Sequence, residues 1–340
     1  MMNDALAPLP IQLVDGFRIG HWTDSDAGTG CTAIVAPEGA TGGVDVRGGA
    51  PASRETDLLR PENTVDVVHA VMLSGGSAFG LEAASGAARE LESRGIGLPV
   101  GPTQVPIVCS SCIFDLAFGR SDVRPDIEAG KAAVRAALDS DPAATVAEGT
   151  VGAGAGATVG KLMGPDHAMK GGLGARAFQL GPLQMGAVAS VNACGNVVDP
   201  TTHQAIAGVR LTADGNQIID MEEAVFQAAG NLQMPLDRTA DRTNTTISCL
   251  ITNAALTKAQ CTKVAQMAAD AYAHVIRPTH TTNDGDTIYV LASGKLGAEV
   301  SAKLPLDLIG LLATRTLEAA LVAGCTEATG LFGIPAACDL

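Results

Sequence analysis

The run Val67-Val-His-Ala-Val-Met-Leu73 is apolar at nearly every position, and it constrains the fold more than any other stretch of the 340 residues. A strand that alternates has one wet face; this one has none, so it must be covered on both sides. Large rings cannot build the cover, because only 3% of the chain is aromatic. The core has to be aliphatic and alanine-rich, with backbones packed closely. Forty glycines supply the tight turns and close approaches this needs. With 46% hydrophobic residues, the apolar complement suffices for a sizeable core.

The same reading gives the other elements. Ile11-Gln-Leu-Val-Asp15, Phe17-Arg-Ile-Gly20, Cys31-Thr-Ala-Ile-Val35 and Gly43-Val-Asp-Val-Arg47 read as short strands joined by turns. Val105-Pro-Ile-Val108, Ile113-Phe-Asp-Leu116, Gly186 to Asn192, the run from Thr245 to Ile251, and Thr287 to Ala292 continue the strand set. Helices are expected after the Ser74 loop to about Arg94, over Asp126–Ser140, briefly around Met221–Ala229, over Leu256–His274 and over Leu306–Ala323. The last is apolar enough to lie buried between layers or subunits. Ala207 to Asp237 is otherwise linker-like, and Asp237 to Asn244 is the segment best suited to be exposed and cut. There are no internal repeats or low-complexity tracts, so residues 1–340 are expected to form one compact domain.

A net charge of -14 supplies no basic patch, which argues against a nucleic-acid or anionic-membrane partner. Met1 to Pro10 hold no basic stretch and no long apolar run, so no signal peptide is expected, and no window approaches the ~20 uninterrupted apolar residues of a membrane span. Eight cysteines are scattered through apolar surroundings, which suits reduced thiols in the cytoplasm. Cys109-Ser-Ser-Cys112 lacks a second pair or a ligand histidine, so it reads as two core thiols, with a redox pair as the alternative, rather than as a zinc site.

Five places carry chemistry. Ser74-Gly-Gly-Ser77 between a strand and a helix lacks the spacing of a nucleophile elbow or a dinucleotide fingerprint. It serves either close strand–helix packing or a pocket lined by Ser74, Gly75, Gly76 and Ser77 at a helix N-terminus. Gly149 to Lys161 is the richest glycine run, with Gly154 and Gly156 at its centre. Ala155 and Leu162 break the phosphate-loop pattern, so ATP is rejected; the run still lets a backbone pass close to a bound substrate, and Lys161 is either a surface lysine or a charge delivered at the run's end. Asn192, at a strand end, can donate to an oxyanion or simply form a turn. Asp284-Gly-Asp286 sets two carboxylates on a tight turn at the mouth of a strand. Finally, Asn244-Thr245 precedes a buried strand, where Asn-Thr-Thr reads either as a plain turn or as the place of a nucleophile. If that peptide bond breaks, Thr245 gains a free α-amine beside its hydroxyl. With an ordinary pKa of about 8, this amine can serve as a local base.

Six blocks in order resemble the self-processing aminopeptidases of the DmpA/BapA type, which include the NylC-type nylon-oligomer hydrolases. They are Ser74-Gly-Gly-Ser-Ala-Phe-Gly-Leu81, Val105-Pro-Ile-Val with Ile113-Phe-Asp-Leu116, Gly152-Ala-Gly-Ala-Gly with Gly160-Lys161, Val191-Asn192-Ala, Asn244-Thr-Thr-Ile-Ser248 and Asn283-Asp-Gly-Asp-Thr-Ile288. They span about residues 11 to 335. The resemblance implies a four-layer αββα sandwich of the DmpA/ornithine-acetyltransferase-like type, and cleavage between Asn244 and Thr245 into chains 1–244 and 245–340. It assigns Thr245 as nucleophile, Asn192 as oxyanion donor, Lys161 as a basic residue near the nucleophile, and Asp284 and Asp286 as the acidic pair. The aminopeptidase branch has a serine nucleophile, with serine and glutamate in the later motif. Thr245 and Asp-Gly-Asp therefore set this chain nearer the nylon-hydrolase branch. The implied activity is amide hydrolysis of small peptides or linear amide oligomers through an acyl-enzyme, without metal or organic cofactor, by a homotetramer of αβ units. An acyltransferase using the same acyl-enzyme and a non-catalytic, unprocessed member of the fold are the alternatives.

Overall fold

Ten strands join in one continuous sheet in the computed structural model, which describes residues 6–161, 163–231 and 244–340. Numbered along the chain they are β1 Leu6–Leu9, β2 Arg18–Asp24, β3 Thr29–Val46, β4 Ser53–Arg54, β5 Val68–Ser74, β6 Val108–Cys112, β7 Leu173–Leu180, β8 Leu183–Ser190, β9 Ile247–Thr252 and β10 Thr287–Ala292. Their order is β1-β7-β8-β9-β10-β3-β5-β6-β4, with β2 also paired to β3. The pairs β9/β10 and β5/β6 are parallel and the others antiparallel.

β3 makes this one sheet into two layers. Its Thr41–Val46 stretch pairs with β10, while Thr29–Val35 pairs with β2 and Cys31–Val35 with β5, and the register breaks between Val35 and Ala40. Side-chain alternation then sorts residues into three cores. Ile34, Val71, Leu73, Ile247, Cys249, Ile251 and Tyr289 meet between the layers. Cys31, Ala33, Ala70 and Met72 face helices Glu82–Ser93 and Ile127–Asp139. Leu250, Ile288 and Val290 face helices Lys258–Ala268, Asp270–Val275 and Leu306–Thr326. Helix, sheet, sheet, helix is the αββα sandwich. Glycine allows the tight spacing: a Cβ on Gly43 would lie 2.3 Å from the Thr262 nitrogen, and one on Gly174 would lie 1.9 Å from the Ala320 oxygen.

Helix Leu306–Thr326 is long and apolar enough to cross a bilayer, but 67% of its most apolar window is buried, against β7 and β8 among others. The expected helix Leu256–His274 breaks at Ala269 into two. Several strand expectations shift. Ile11–Leu13 is a 3-10 turn, and the edge strand is Leu6–Leu9 instead. Cys31–Val35 and Gly43–Arg47 fall mostly on the single strand β3. The strand expected at Ile113–Leu116 lies instead on Val108–Cys112, where the Tyr289 hydroxyl meets Ser111 Oγ at 2.8 Å across the layers. Cys109 and Cys112 stand three apart on β6 and so face opposite sides, both buried. The segment expected to be exposed and cut, from Asp237, lies outside the described residues up to Thr243.

Candidate active site

β8 and β9 are antiparallel neighbours with Ser190 opposite Ile247, so the chain leaving one and the chain entering the other lie side by side. Asn192 belongs to the first segment, and Asn244, Thr245 and Thr246 to the second. Parallel pairing of β9 with β10, Ile247 opposite Thr287, brings Asp284-Gly-Asp286 to the same end. An isolated bridge between Asn244 and Asp284 extends that pairing. The strand starts at Ile247 rather than at Thr245.

Thr245 donates its main-chain N–H to the Asn192 carbonyl at 2.9 Å. Lys161 arrives at the end of the glycine run, its own N–H held by the Cys194 carbonyl at 3.1 Å. Its ammonium donates to Asn192 Oδ1 at 2.7 Å and to the Asn192 carbonyl at 3.2 Å. One carbonyl oxygen therefore serves both Lys161 and the nitrogen of the Asn244–Thr245 peptide bond. Thr245 Oγ1 accepts the Gly285 N–H at 3.2 Å, and its hydroxyl donates to the Asn244 carbonyl. Asn244 and Thr245 are each only 5% exposed. Asn192 Oδ1 also accepts the Thr158 N–H at 3.1 Å, which turns Nδ2 toward the Phe114 carbonyl, also at 3.1 Å.

The two carboxylates differ in surroundings. Asp284 Oδ2 accepts the Thr281 N–H at 2.6 Å. Asp286 Oδ1 accepts the Thr246 N–H at 2.8 Å, while Oδ2 accepts from His280 Nδ1 at 2.8 Å, the His280 N–H at 3.1 Å and the Thr279 hydroxyl at 3.2 Å. Burial, and then the charge of Asp286, raise the Asp284 pKa above the usual carboxylate range. Burial likewise lowers Lys161 to about 7, against the pull of Cys194, Asp284 and Asp115. The residue as a whole keeps some exposure, so the desolvation acts at its ammonium end. An amine near 7 can both take and return a proton at neutral pH.

The other candidate residues stand at one remove. Gly76, with φ +82°, donates its N–H to Asp115 Oδ1 at 2.6 Å, and the Ser77 N–H goes to the Ile113 carbonyl at 2.9 Å. The loop Ser74–Ser77 thus connects to Asn192 through the segment 113–115. Ser74 is wholly buried at the end of β5 and Gly75 donates to Gly30. Gly154 and Gly156 press on other backbones: a Cβ would lie 2.1 Å from the Leu173 nitrogen in the first and 2.5 Å from the Gly28 oxygen in the second.

Sequence reasoning passed over Asp115, Lys170, Tyr272 and His280. Asp115 is buried, takes the Gly76 N–H and the Thr29 hydroxyl at 2.7 Å, and follows the carbonyl that holds Asn192. A lone charge inside the apolar block Ile113-Phe-Asp-Leu116 was its signal. His280 stands four residues before Asp284, in a polar stretch that gave no periodicity to read.

With a hydroxyl, a tuned amine, an amide and two carboxylates converging on one peptide bond, the site is equipped for acyl transfer from an amide. Comparison with known proteins agrees: the chain belongs to peptidase family S58, whose model matches residues 11–336. Among its relatives, an "uncharacterized aminopeptidase" of Mycobacterium leprae (strain TN) is 39% identical over 353 residues, covering 96% of this chain and 92% of that one. A "6-aminohexanoate-oligomer endohydrolase" of Paenarthrobacter ureafaciens is 30% identical over 287 residues, covering 83% and 74%. Among solved structures, the L-aminopeptidase D-Ala-esterase/amidase of Ochrobactrum anthropi, described as a variant of the Ntn hydrolase fold, superposes with a TM-score of 0.65 at 18% identity, covering 97% and 90%. A Burkholderia sp. β-aminopeptidase gives 0.63 at 18%, covering 96% and 89%. The fold is that Ntn-hydrolase-like one, and the protein is a family S58 peptidase.

Proposed function

We propose that this peptidase cleaves its own chain between Asn244 and Thr245 and then hydrolyses small amides with Thr245 as an N-terminal nucleophile. The observation that carries the reading is the shared acceptor: the carbonyl of Asn192 takes both Lys161 and the nitrogen that must leave. In the first stage Thr245 Oγ1 adds to the Asn244 carbonyl carbon as its hydroxyl proton passes to the Lys161 amine, the C–N bond breaks, and the leaving nitrogen takes that proton back from Lys161. Water hydrolyses the resulting ester and frees the Thr245 amine, giving chains 1–244 and 245–340.

In the second stage Oγ1 attacks a substrate amide, with Lys161 or the new amine moving the proton. The Gly285 N–H supports the oxygen as it gains charge. Asn192 acts as oxyanion donor, a role whose removal costs about 100-fold in rate. Asp286 holds the backbone beside the nucleophile, and Asp284 the opposite side of the cut. The names of the relatives support short peptides and linear ω-amino-acid oligomers as the substrate classes. The reading extends to homotetramers of αβ units in the cytoplasm, which sedimentation and fractionation test.

Denaturing electrophoresis should show two bands, near seven-tenths and three-tenths of 34.3 kDa. Thr245→Ala should give one band and no hydrolysis of aminoacyl-p-nitroanilides or 6-aminohexanoate oligomers. A Thr245→Ala protein that still processes and turns over ends the proposal.

A further inference from the structure

Both main-chain groups of Thr246, the residue immediately after the proposed nucleophile, are held by side chains. Its N–H goes to Asp286 Oδ1 at 2.8 Å, and its carbonyl accepts the Tyr272 hydroxyl at 3.2 Å beside the Thr287 N–H at 3.3 Å. His280 ties these two holders together. Its Nδ1 donates to Asp286 Oδ2 at 2.8 Å, and its ring stacks on Tyr272 with centroids 5.2 Å apart and planes 23° apart. The His280 N–H reaches the same carboxylate oxygen at 3.1 Å, with φ at +55°, a backbone conformation that only a specific set of contacts maintains in a non-glycine residue. Nε2 is buried and has no hydrogen-bond partner among the described residues. The ring is therefore used through one nitrogen and one face.

We propose that His280 is a positioning residue for the nucleophile. It fixes Asp286 and Tyr272, and through them Thr246, so that Thr245 keeps its direction once the chain begins there. The inference rests on Thr245 being the new N-terminus. Before cleavage Thr245 is held from both sides by the chain. Afterwards only Thr246 holds it covalently, and β9 does not begin until Ile247. An orientation error of an angstrom at an attacking atom is enough to cost about 100-fold in rate.

The decisive pair of variants is His280→Asn and His280→Gln. The asparagine amide nitrogen falls near the place of Nδ1 and asparagine tolerates a positive φ, whereas the glutamine nitrogen falls nearer Nε2. Activity is counted per processed chain, with the 245–340 fragment quantified, and the unfolding midpoint is recorded for each variant. His280→Asn should keep kcat within about threefold, while His280→Gln should lose about 10- to 100-fold in kcat with KM within twofold and process itself more slowly. His280→Phe, which keeps the stack and drops the donor, should follow glutamine. Equal kcat per processed chain across the three variants and the parent overturns the proposal, as does a loss confined to the unfolding midpoint. Thr245→Ala run alongside separates the two readings. If it stays active, the nucleophile assignment fails; if it is dead while His280→Gln and His280→Phe are undiminished, only the positioning role fails.

Discussion

Lys161 and Lys170 stand nine positions apart and look alike in isolation: burial lowers the pKa of each to about 7. Their partners differ. Lys170 is wholly buried, and its ammonium donates to the carbonyls of Ala157 at 2.6 Å, Gly171 at 3.0 Å and Gly154 at 3.4 Å, with the Phe118 ring 4.9 Å away. It fastens the glycine-rich run to strand Met169–Lys170, and each of these three acceptors is a main-chain carbonyl. Lys161 donates to an amide and to a carbonyl that also holds the Thr245 N–H. A depressed lysine pKa therefore does not mark a chemical role by itself. What separates the two is whether the acceptor is shared with the peptide bond proposed to be cut.

Methionine at each position breaks the comparison most sharply, because it keeps the stem and removes the amine. Lys161→Met should lose about 100- to 10,000-fold in kcat, the range of a general acid–base group, with the unfolding midpoint unchanged or raised. Lys170→Met should do the reverse. Buried carbonyls lose their donor, at a cost of about 1–3 kcal/mol, so the midpoint falls by several degrees while kcat per folded, processed chain stays within a few-fold. Paired thermal melts and single-turnover assays decide it. Equal kinetic losses would mean that the brace and the chemistry are one unit.

Titration sharpens the contrast next. In the unfolded chain both lysines hold their proton to about pH 10.5, whereas in the fold they release it near 7. Between these values the unfolded state binds more protons, so stability rises with pH and the lysines' contribution is flat below about 7. For the fully enclosed Lys170 the slope approaches about 1.4 kcal/mol per pH unit. Burial raises the thiols of Cys31, Cys109, Cys112, Cys249, Cys261 and Cys325 above their usual 9, which works in the opposite sense once the unfolded thiols ionise. Denaturant unfolding should therefore show stability climbing from pH 7 to about 9 and then levelling or falling. Lys170→Met should lose much of the climb; an unaltered climb would contradict the assignment.

How far the sequence could foresee this division depends on the range of the interaction that decides each residue. Strand Thr287–Ala292 and helices Ile127–Asp139 and Glu82–Ser93 come within a residue or two of their expected bounds, because periodicity and caps are local: Asp126 accepts the Ala129 N–H at 2.9 Å. Asp284-Gly-Asp286 sits at the mouth of its strand as spacing suggested. Ile11–Leu13 and Leu6–Leu9 exchanged roles because the edge partner, β7, lies more than 160 residues away and accepts a strand containing Pro8. Lys170 was invisible for the same reason. A lysine in sequence reads as surface, and only the fold assembles the carbonyls and the ring that enclose it. Family resemblance named Lys161 and Asn192, but nothing in the sequence tells that they share an oxygen with Thr245.

The smallest effect expected concerns Asp284, the carboxylate that meets Lys161 electrostatically. Its pKa is raised in the fold, so on the acid side the folded state keeps a proton that the unfolded chain has released. Stability then falls as pH rises through that window, a cost set by the burial of the charged form. Asp284→Asn removes that cost while keeping an acceptor for the Thr281 N–H, so the unfolding midpoint at pH 7 should rise by about one or two degrees. The same change removes a charge that raises the Lys161 pKa, so the lysine's apparent pKa in the pH–rate profile should move further down. A midpoint that drops, with the profile unmoved, would place Asp284 with Lys170 among the braces rather than with Lys161.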